Sequence, residues 1–228
     1  MGITHVVVLS TAWIALATTP SSSGSPELSR YRGFEFGMNV VTVAQRAGIS
    51  PEPRIVHQRP ELIQELMWLP SRLGNLAHEA DSAQKVLFTF YNNQLSRIVV
   101  FYDRSRTEGL TADDVIAVIS ATYGVAVISI GGIAPATPRP NFDDKLLAHW
   151  EDPQYAITLF RSKYLSTYGL VLLSKRLDRL AALATAEAIL MDERAAPARE
   201  TTRQQQQTDE ERVREATVRR VNKATFKP

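Results

Sequence analysis

His149, Glu151 and Asp152 form the densest group of side chains in the chain that could bind a metal ion or transfer a proton. A histidine and an aspartate so close together, His149 and Asp152, could share either role. Trp150 lies inside the group, however, and a buried tryptophan beside a solvated strand end accounts for the same residues without catalysis. The other three histidines are far apart and lack a second ligand at the spacing of a zinc site. We therefore predict no catalytic residue and no metal site.

The residue content excludes several further kinds of chemistry. The chain has no cysteine, so we expect no disulfide, thiolate metal site, cysteine nucleophile or bacterial lipoprotein anchor. It contains no phosphate-binding glycine loop, serine-hydrolase elbow or zinc-peptidase motif. Its 26 basic and 24 acidic side chains give a formal net charge of +2, which does not indicate a nucleic-acid partner. We expect no cofactor.

Four aromatic residues are the candidates for contacting a small ligand. Trp68, Trp150, Tyr164 and Tyr168 would form the walls of a cleft between two halves of the chain. Aromatic residues of this kind also fill protein cores, so a purely structural role is the alternative.

The elements that would hold these residues are clearest between residues 85 and 124. β-forming residues on both sides of Asn92-Asn93 predict a β-hairpin, because asparagine tolerates the positive φ of a two-residue turn. Such a turn predicts three facing pairs: Phe90 with Leu95, Phe88 with Arg97 and Val86 with Val99.

A helix follows this hairpin. Thr111 is placed to cap it, and Asp114 completes the capping box, so the carboxylates at its start are interpreted as caps and not as metal ligands. Gly124 ends the helix. Its predicted packing stripe has helical spacing and consists of Val115, Val118, Ile119 and Thr122.

The remaining elements of the body are shorter. Asn39 and Gly48 frame a helix with apolar residues at 40, 43, 44 and 47. Residues 53–70 are ambiguous between helix and strand, and we favour strand. A short strand after Gly124 and a second hairpin over residues 155–173 complete the pattern.

The same order of features occurs in both halves of the chain. Gly37-Met38-Asn39 opens the first helix, and Gly109-Leu110-Thr111 opens the second helix 72 residues later. Each helix is followed by a tryptophan with a nearby proline, and then by a hairpin. We interpret this order as a tandem repeat, with α/β repeats at residues 34–104 and 105–174.

The Gly-Met-Asn-x-x-x-Val opening of a short helix, followed by a tryptophan-bearing strand and a hairpin, resembles the small α/β module of SmpA/BamE-like outer-membrane assembly lipoproteins. Two such modules in tandem also resemble the secreted β-lactamase inhibitor proteins. The chain departs from the lipoproteins because it lacks their anchoring cysteine, and it has no local motif that matches an inhibitor's contact residues. The resemblance implies an envelope or secreted binding module and not an enzyme.

The two ends of the chain differ in composition from the body. Residues 1–17 read as a signal peptide, with an apolar segment too short for a membrane span and Ala15-Leu16-Ala17 as the cleavage pattern. Residues 18–33 then read as a flexible leader. An Ala- and Leu-rich stripe predicts a C-terminal helix over residues 175–196. The charged, Gln-rich residues 197–228 read either as a solvated, partly helical but largely disordered tail or as a tether to a partner.

Taken together, the pattern predicts an α+β protein: two tandem helix-plus-antiparallel-sheet repeats, a C-terminal helix and a largely disordered tail. The function that we favour is an exported, non-enzymatic module that binds another envelope or extracellular protein. A small-ligand-binding protein with a cleft between the repeats is one alternative. A hydrolase with an unrecognised site is another.

Overall fold

The computed structural model describes residues 27–70, 82–128, 144–225 and 227. These residues form a mixed α and β structure, which confirms the predicted class. In chain order the elements are β1 (Arg30–Tyr31), β2 (Phe34–Glu35), α1 (Val40–Ala47), β3 (Arg54–His57), β4 (Ile63–Trp68), β5 (Ala83–Tyr91), β6 (Gln94–Tyr102), α2 (Arg104–Thr107), α3 (Ala112–Tyr123), β7 (Val127–Ile128), β8 (Lys145–Glu151), β9 (Tyr155–Arg161), β10 (Tyr168–Ser174) and α4 (Lys175–Thr225).

Most of the strands belong to one antiparallel sheet. Within the described residues its order is β3-β4-β5-β6-β10-β9-β8-β7, and β1 and β2 form a separate ribbon. Strands β6 and β10 meet in the middle, from Phe101 opposite Gly169 to Arg97 opposite Leu173. Within the ambiguous stretch 53–70, β3 and β4 are strands, as favoured, and residues 58–62 connect them. The second hairpin and the short strand β7 are confirmed.

The central hairpin turns at Asn92 and Asn93, both of which have positive φ, as predicted. The pair nearest the turn is confirmed, but the other two predicted pairs are each wrong by one residue. The observed pairs are Phe88 with Ile98 and Val86 with Val100. Ser96 is the extra residue of a β-bulge, and its hydroxyl donates to the carbonyl oxygen of Thr89 at 2.9 Å. A periodic pattern cannot show this insertion.

The caps of α1 and α3 follow the sequence closely. The Asn39 side-chain oxygen accepts a hydrogen bond from the Thr42 N–H at 2.8 Å, and Gly48 ends α1 with a left-handed φ of 66°. Thr111 and Asp114 form the predicted capping box of α3. Both helices pack on the same face of the sheet and share its largest apolar cluster.

The packing stripe of α3 differs from the predicted one. Val115 and Ile119 are buried as expected, but Val118 is 70% exposed and Thr122 is also exposed. Tyr123 is buried instead, and its hydroxyl donates to the Arg30 carbonyl oxygen at 3.2 Å. The helix therefore contacts the core through residues spaced by four.

Seven buried apolar residues form a second cluster on the opposite face of the sheet. Its largest members, Phe101 and Phe160, meet edge to face with ring centroids 5.8 Å apart. Gly169 lies between them on β10, where an added Cβ would overlap the ring of Phe160.

Helix α4 begins directly after β10 and packs on this second face near β4, β5 and β6. Asp178, in its first turn, binds Arg97 of β6 through Oδ1, which lies 2.7 Å from Nε. Burial raises the pKa of Asp178, and the attraction of the Arg97 guanidinium opposes that rise. Ala188 is the last buried residue, and residues 189–225 are all exposed.

The predicted end of this helix at residue 196 is wrong, because α4 continues through Pro197 to Thr225. The predicted disorder of the tail is therefore not seen between residues 197 and 225. Ala, Glu, Arg and Gln, all strong helix formers, dominate this region. Arg199 donates to the Asp192 carbonyl oxygen at 2.7 Å and so adds a bond close to the proline. Local propensity thus outweighs the cost of one proline.

The predicted signal peptide and most of the leader lie in residues 1–26, outside the described residues. The end of the leader, residues 27–33, is not a free linker as predicted. Leu28 and Tyr31 are each only 5% exposed and belong to the main apolar cluster, and burying these two large apolar side chains holds the segment against the body. No helix in the described part of the chain is long and apolar enough to cross a membrane.

Candidate functional site

The four predicted ligand-contacting aromatics occupy two different environments. Trp68, Trp150 and Tyr168 are buried in the main apolar cluster, whereas Tyr164 is 72% exposed. The Trp150 indole N–H donates to the Gly124 carbonyl oxygen at 2.9 Å, which fixes the ring inside the core. This placement gives three of the four residues the structural role that the sequence left open.

The polar group around His149 has a different membership from the predicted one. His149 is 4% exposed on β8, and its Nδ1 lies 3.1 Å from the hydroxyl oxygen of Thr158 on β9. Its Nε2 lies 3.4 Å from a carboxylate oxygen of Glu151, a distance too long for a strong hydrogen bond. Glu151 in turn accepts a hydrogen bond from Lys175 Nζ at 2.6 Å.

Glu151, and not Asp152, is the acidic neighbour of His149, because alternate residues of a strand lie on the same face. The Asp152 carboxylate instead accepts from the N–H groups of Gln154 and Tyr155, at 2.6 Å each, and closes the β8–β9 turn. The hydrogen bond from Lys175 and the contact with His149 lower the pKa of Glu151.

A hydroxyl, an imidazole and a carboxylate in series are the components of a nucleophilic relay. Here the hydroxyl belongs to Thr158, which is only 2% exposed, so a substrate has no access to it. The described residues also contain no group of three or more His, Asp or Glu side chains that could hold a metal ion. The arrangement instead connects β8 and β9 to Lys175, the first residue of α4.

A groove of about 670 Å³ lies between β3 and α4. Strand β3 is an edge strand, since β4 is its only partner among the described residues. Two apolar side chains remain accessible in the groove: Ile55 on β3 is 50% exposed, and Met191 on α4 is 40% exposed. An edge strand beside exposed apolar side chains is suited to pairing with another chain.

The charged residues that line the groove, Arg59, Arg199 and Asp192, give it a net charge of +1. His57 and Arg59 line it from the strand side, and Arg199 lines it from the helix side. Its one acidic lining residue, Asp192, is already ion-paired with Arg199, with Oδ1 and Nη2 3.1 Å apart. The alanines of α4 that line the groove leave room for a guest side chain. Sequence reasoning missed this site because it joins segments more than 120 residues apart.

A second, smaller cleft of about 300 Å³ lies where the two halves of the sheet meet. Phe36 and Tyr155 stack beside it with ring centroids 5.5 Å apart. Gln94, Gln154 and Arg176 supply its polar lining. None of the four predicted ligand-contacting aromatics lines this cleft.

The chain matches no protein-family model, no curated protein and no solved structure.

Proposed function

We propose that this protein is an exported, non-enzymatic module that binds another envelope or extracellular protein through the groove between β3 and α4. The observation that carries the proposal is the free edge of β3. The other edge pairs with β4, but this one faces no strand among the described residues and is flanked by accessible apolar side chains. Main-chain pairing to such an edge supplies affinity, and the neighbouring side chains supply selectivity.

The groove indicates what kind of segment would bind. An extended segment of the partner would pair with β3, and its alternate side chains would face α4. There they would meet Met191 and the small side chains of Ala188 and Ala195. Because the lining has a net charge of +1, with Arg59 unmatched by an acidic lining residue, an acidic segment with one apolar anchor is the best match.

Export is supported by the sequence alone. The apolar segment from Val6 and the Ala15-Leu16-Ala17 pattern are typical of a cleaved signal peptide, after which the mature chain would begin at Thr18.

We further propose that the body consists of two tandem repeats. The order of elements supports this, since α1 precedes β3–β6 and α3 precedes β7–β10, and the two sets of strands meet at β6 and β10.

The chain's lack of cysteine makes a direct test possible. A photo-reactive crosslinker would be attached to the new cysteine of each of two variants, Ile55→Cys and Met191→Cys. Each labelled variant would then be mixed with envelope extract of the source organism and illuminated. We expect both positions to crosslink one and the same protein, through an acidic segment with high strand propensity identified by mass spectrometry. The control is Val118→Cys, because Val118 is more accessible than either position, at 70% exposed, but lies on α3, away from the groove.

Different proteins at the two positions, or the same crosslinks from the control position, would overturn the assignment of the groove. If neither position crosslinks any protein while the variants unfold like the wild type, the partner hypothesis is wrong. The cleft beside Phe36 and Tyr155 would then become the site to examine for a small ligand.

A further inference from the structure

The exposed part of α4, residues 189–225, forms an arm. None of its residues is buried among the described residues, although it continues for 37 residues. Most helices owe their stability to an apolar face packed on other elements. A long helix that is polar on all sides is typical of one that bridges to another partner or is held by its own charge pairs. The arrangement of charge along the arm therefore becomes informative.

Five residues of the arm form a single narrow stripe. Glu200, Arg203, Gln207, Glu211 and Arg214 are spaced by three, four, four and three residues. At about 100° per residue, all of them lie within about 40° of Gln207 around the helix axis. They therefore share one face.

The charges of this stripe invert about its centre. Four residues before Gln207 is Arg203, and four residues after it is Glu211. Seven residues before it is Glu200, and seven residues after it is Arg214. When two copies of this stripe lie antiparallel and centred on Gln207, each charge therefore faces an opposite charge. A parallel copy would instead place like charges side by side.

The charged groups of the stripe are available for such pairing. Within the described residues, Arg203, Glu211 and Arg214 make no ion pair. Glu200 accepts one exposed hydrogen bond, from the Gln204 side chain at 3.1 Å. Eleven residues on either side of the centre lie Ala196 and Val218, small apolar residues that can also meet.

We propose that the arm pairs antiparallel with the arm of a second copy of this chain, with Gln207 at the two-fold axis. Each of the contacts Glu200 to Arg214 and Arg203 to Glu211 then forms twice, which gives four ion pairs between the copies. This isologous arrangement closes as a dimer and does not propagate into a filament. It is independent of what binds in the groove beside β3.

Charge reversal provides the test, measured by sedimentation equilibrium of the full chain at up to about 1 mM protein and about 0.05 M salt, where exposed charges are weakly screened. The wild type is expected to form a dimer. Arg203→Glu and Glu211→Arg each convert two of the four ion pairs into repulsions, so each variant alone should raise the dimer Kd about tenfold. An equimolar mixture of the two variants restores opposite charges at both contacts and should return to within about twofold of the wild-type Kd.

The mixture separates pairing between chains from any effect inside one chain. Positions 203 and 211 are eight residues apart, about 12 Å along one helix, and cannot pair within it. Arg212→Glu is the matched control, because it makes the same change of charge about 140° around the helix from Gln207. Its dimer Kd should stay within about twofold of the wild-type value. All these residues are exposed, so the variants should fold like the wild type.

Three results would overturn the proposal. The first is a wild-type chain that remains monomeric over the whole concentration range. The second is equal weakening by Arg203→Glu and Arg212→Glu, which would show a general effect of charge. The third is a mixture that associates no better than its two components.

Discussion

The two parts of α4 hold the same conformation for different reasons. Residues 175–188 lie against the sheet, with Leu177 and Ala181 buried and Asp178 bound to Arg97. Residues 189–225 bury no side chain and depend on helix propensity and local pairs. The helical conformation thus continues along α4 beyond the point where burial of its side chains ends. Substitutions should therefore change the unfolding free energy in the body and leave it almost unchanged in the arm.

The largest difference is expected between Trp150→Ala and Val213→Ala. Trp150 is 2% exposed and hydrogen-bonded, so its truncation should lower the unfolding free energy by about 3–5 kcal/mol. Val213 is 67% exposed on the arm, and its truncation should change that free energy by less than about 0.5 kcal/mol. Urea unfolding of both variants measures the contrast. Comparable losses at the two sites would mean that the arm is packed in solution.

An intermediate effect is expected where α4 attaches to the body. Asp178→Ala leaves the partly buried Arg97 guanidinium without its partner, which should cost about 1–3 kcal/mol of unfolding free energy. A double-mutant cycle with Arg97→Ala isolates the contribution of the pair. We expect the double variant to lose less unfolding free energy than the sum of the losses in the two single variants. Additive losses would show that the ion pair contributes nothing of its own.

Within the body, the smallest of these effects is expected at Glu151, and it depends on pH. Its pKa in the folded protein is lowered, mainly by Lys175, so its contribution to stability is present above the unfolded pKa and is lost as pH falls through the folded pKa. Glu151→Gln should therefore cost less than about 1 kcal/mol at pH 7, because the pair is half exposed. The difference from the wild type should shrink as the pH falls below the unfolded pKa of glutamate and disappear once the pH is below the folded pKa of Glu151.

Urea unfolding measured from neutral to acidic pH tests this expectation. Glu187→Gln removes an exposed carboxylate of α4 and serves as the control, for which we expect a small difference from the wild type. A Glu151→Gln difference that stays constant down to pH 3 would show that the Lys175 contact is not electrostatic.

Local features of the fold were predictable because neighbouring residues determine them. The caps at Asn39 and Thr111 depend on one side chain and the backbone within three residues. The hairpin turn needs only Asn92 and Asn93 to tolerate positive φ. The bulge at Ser96 was not predictable, because the alternation on each side of it looks regular whether or not a residue is inserted.

The candidate sites depend on contacts that no local pattern reports. The groove exists because α4 passes beside β3. Its lining brings together Ile55 and Met191, which are far apart in the sequence. The link from Glu151 to Lys175 likewise requires the register of β8, β9 and β10. His149 and Glu151 alone could have been paired from the sequence, by applying the two-residue period of a strand.

The length of the arm also determines the distance between the two bodies of the proposed dimer. From Ala188 to Thr225 the helix rises about 55 Å, whereas a body of about 150 residues has a radius of gyration near 15 Å. Two chains paired around Gln207 would hold their bodies at opposite ends of a rod, with a separation of about 57 Å between the last buried residues. The spacing between two bound partners would then be determined by the number of residues between Ala188 and Gln207. Adding or removing one helical turn there would change it by about 11 Å, because each of the two chains contributes about 5.4 Å.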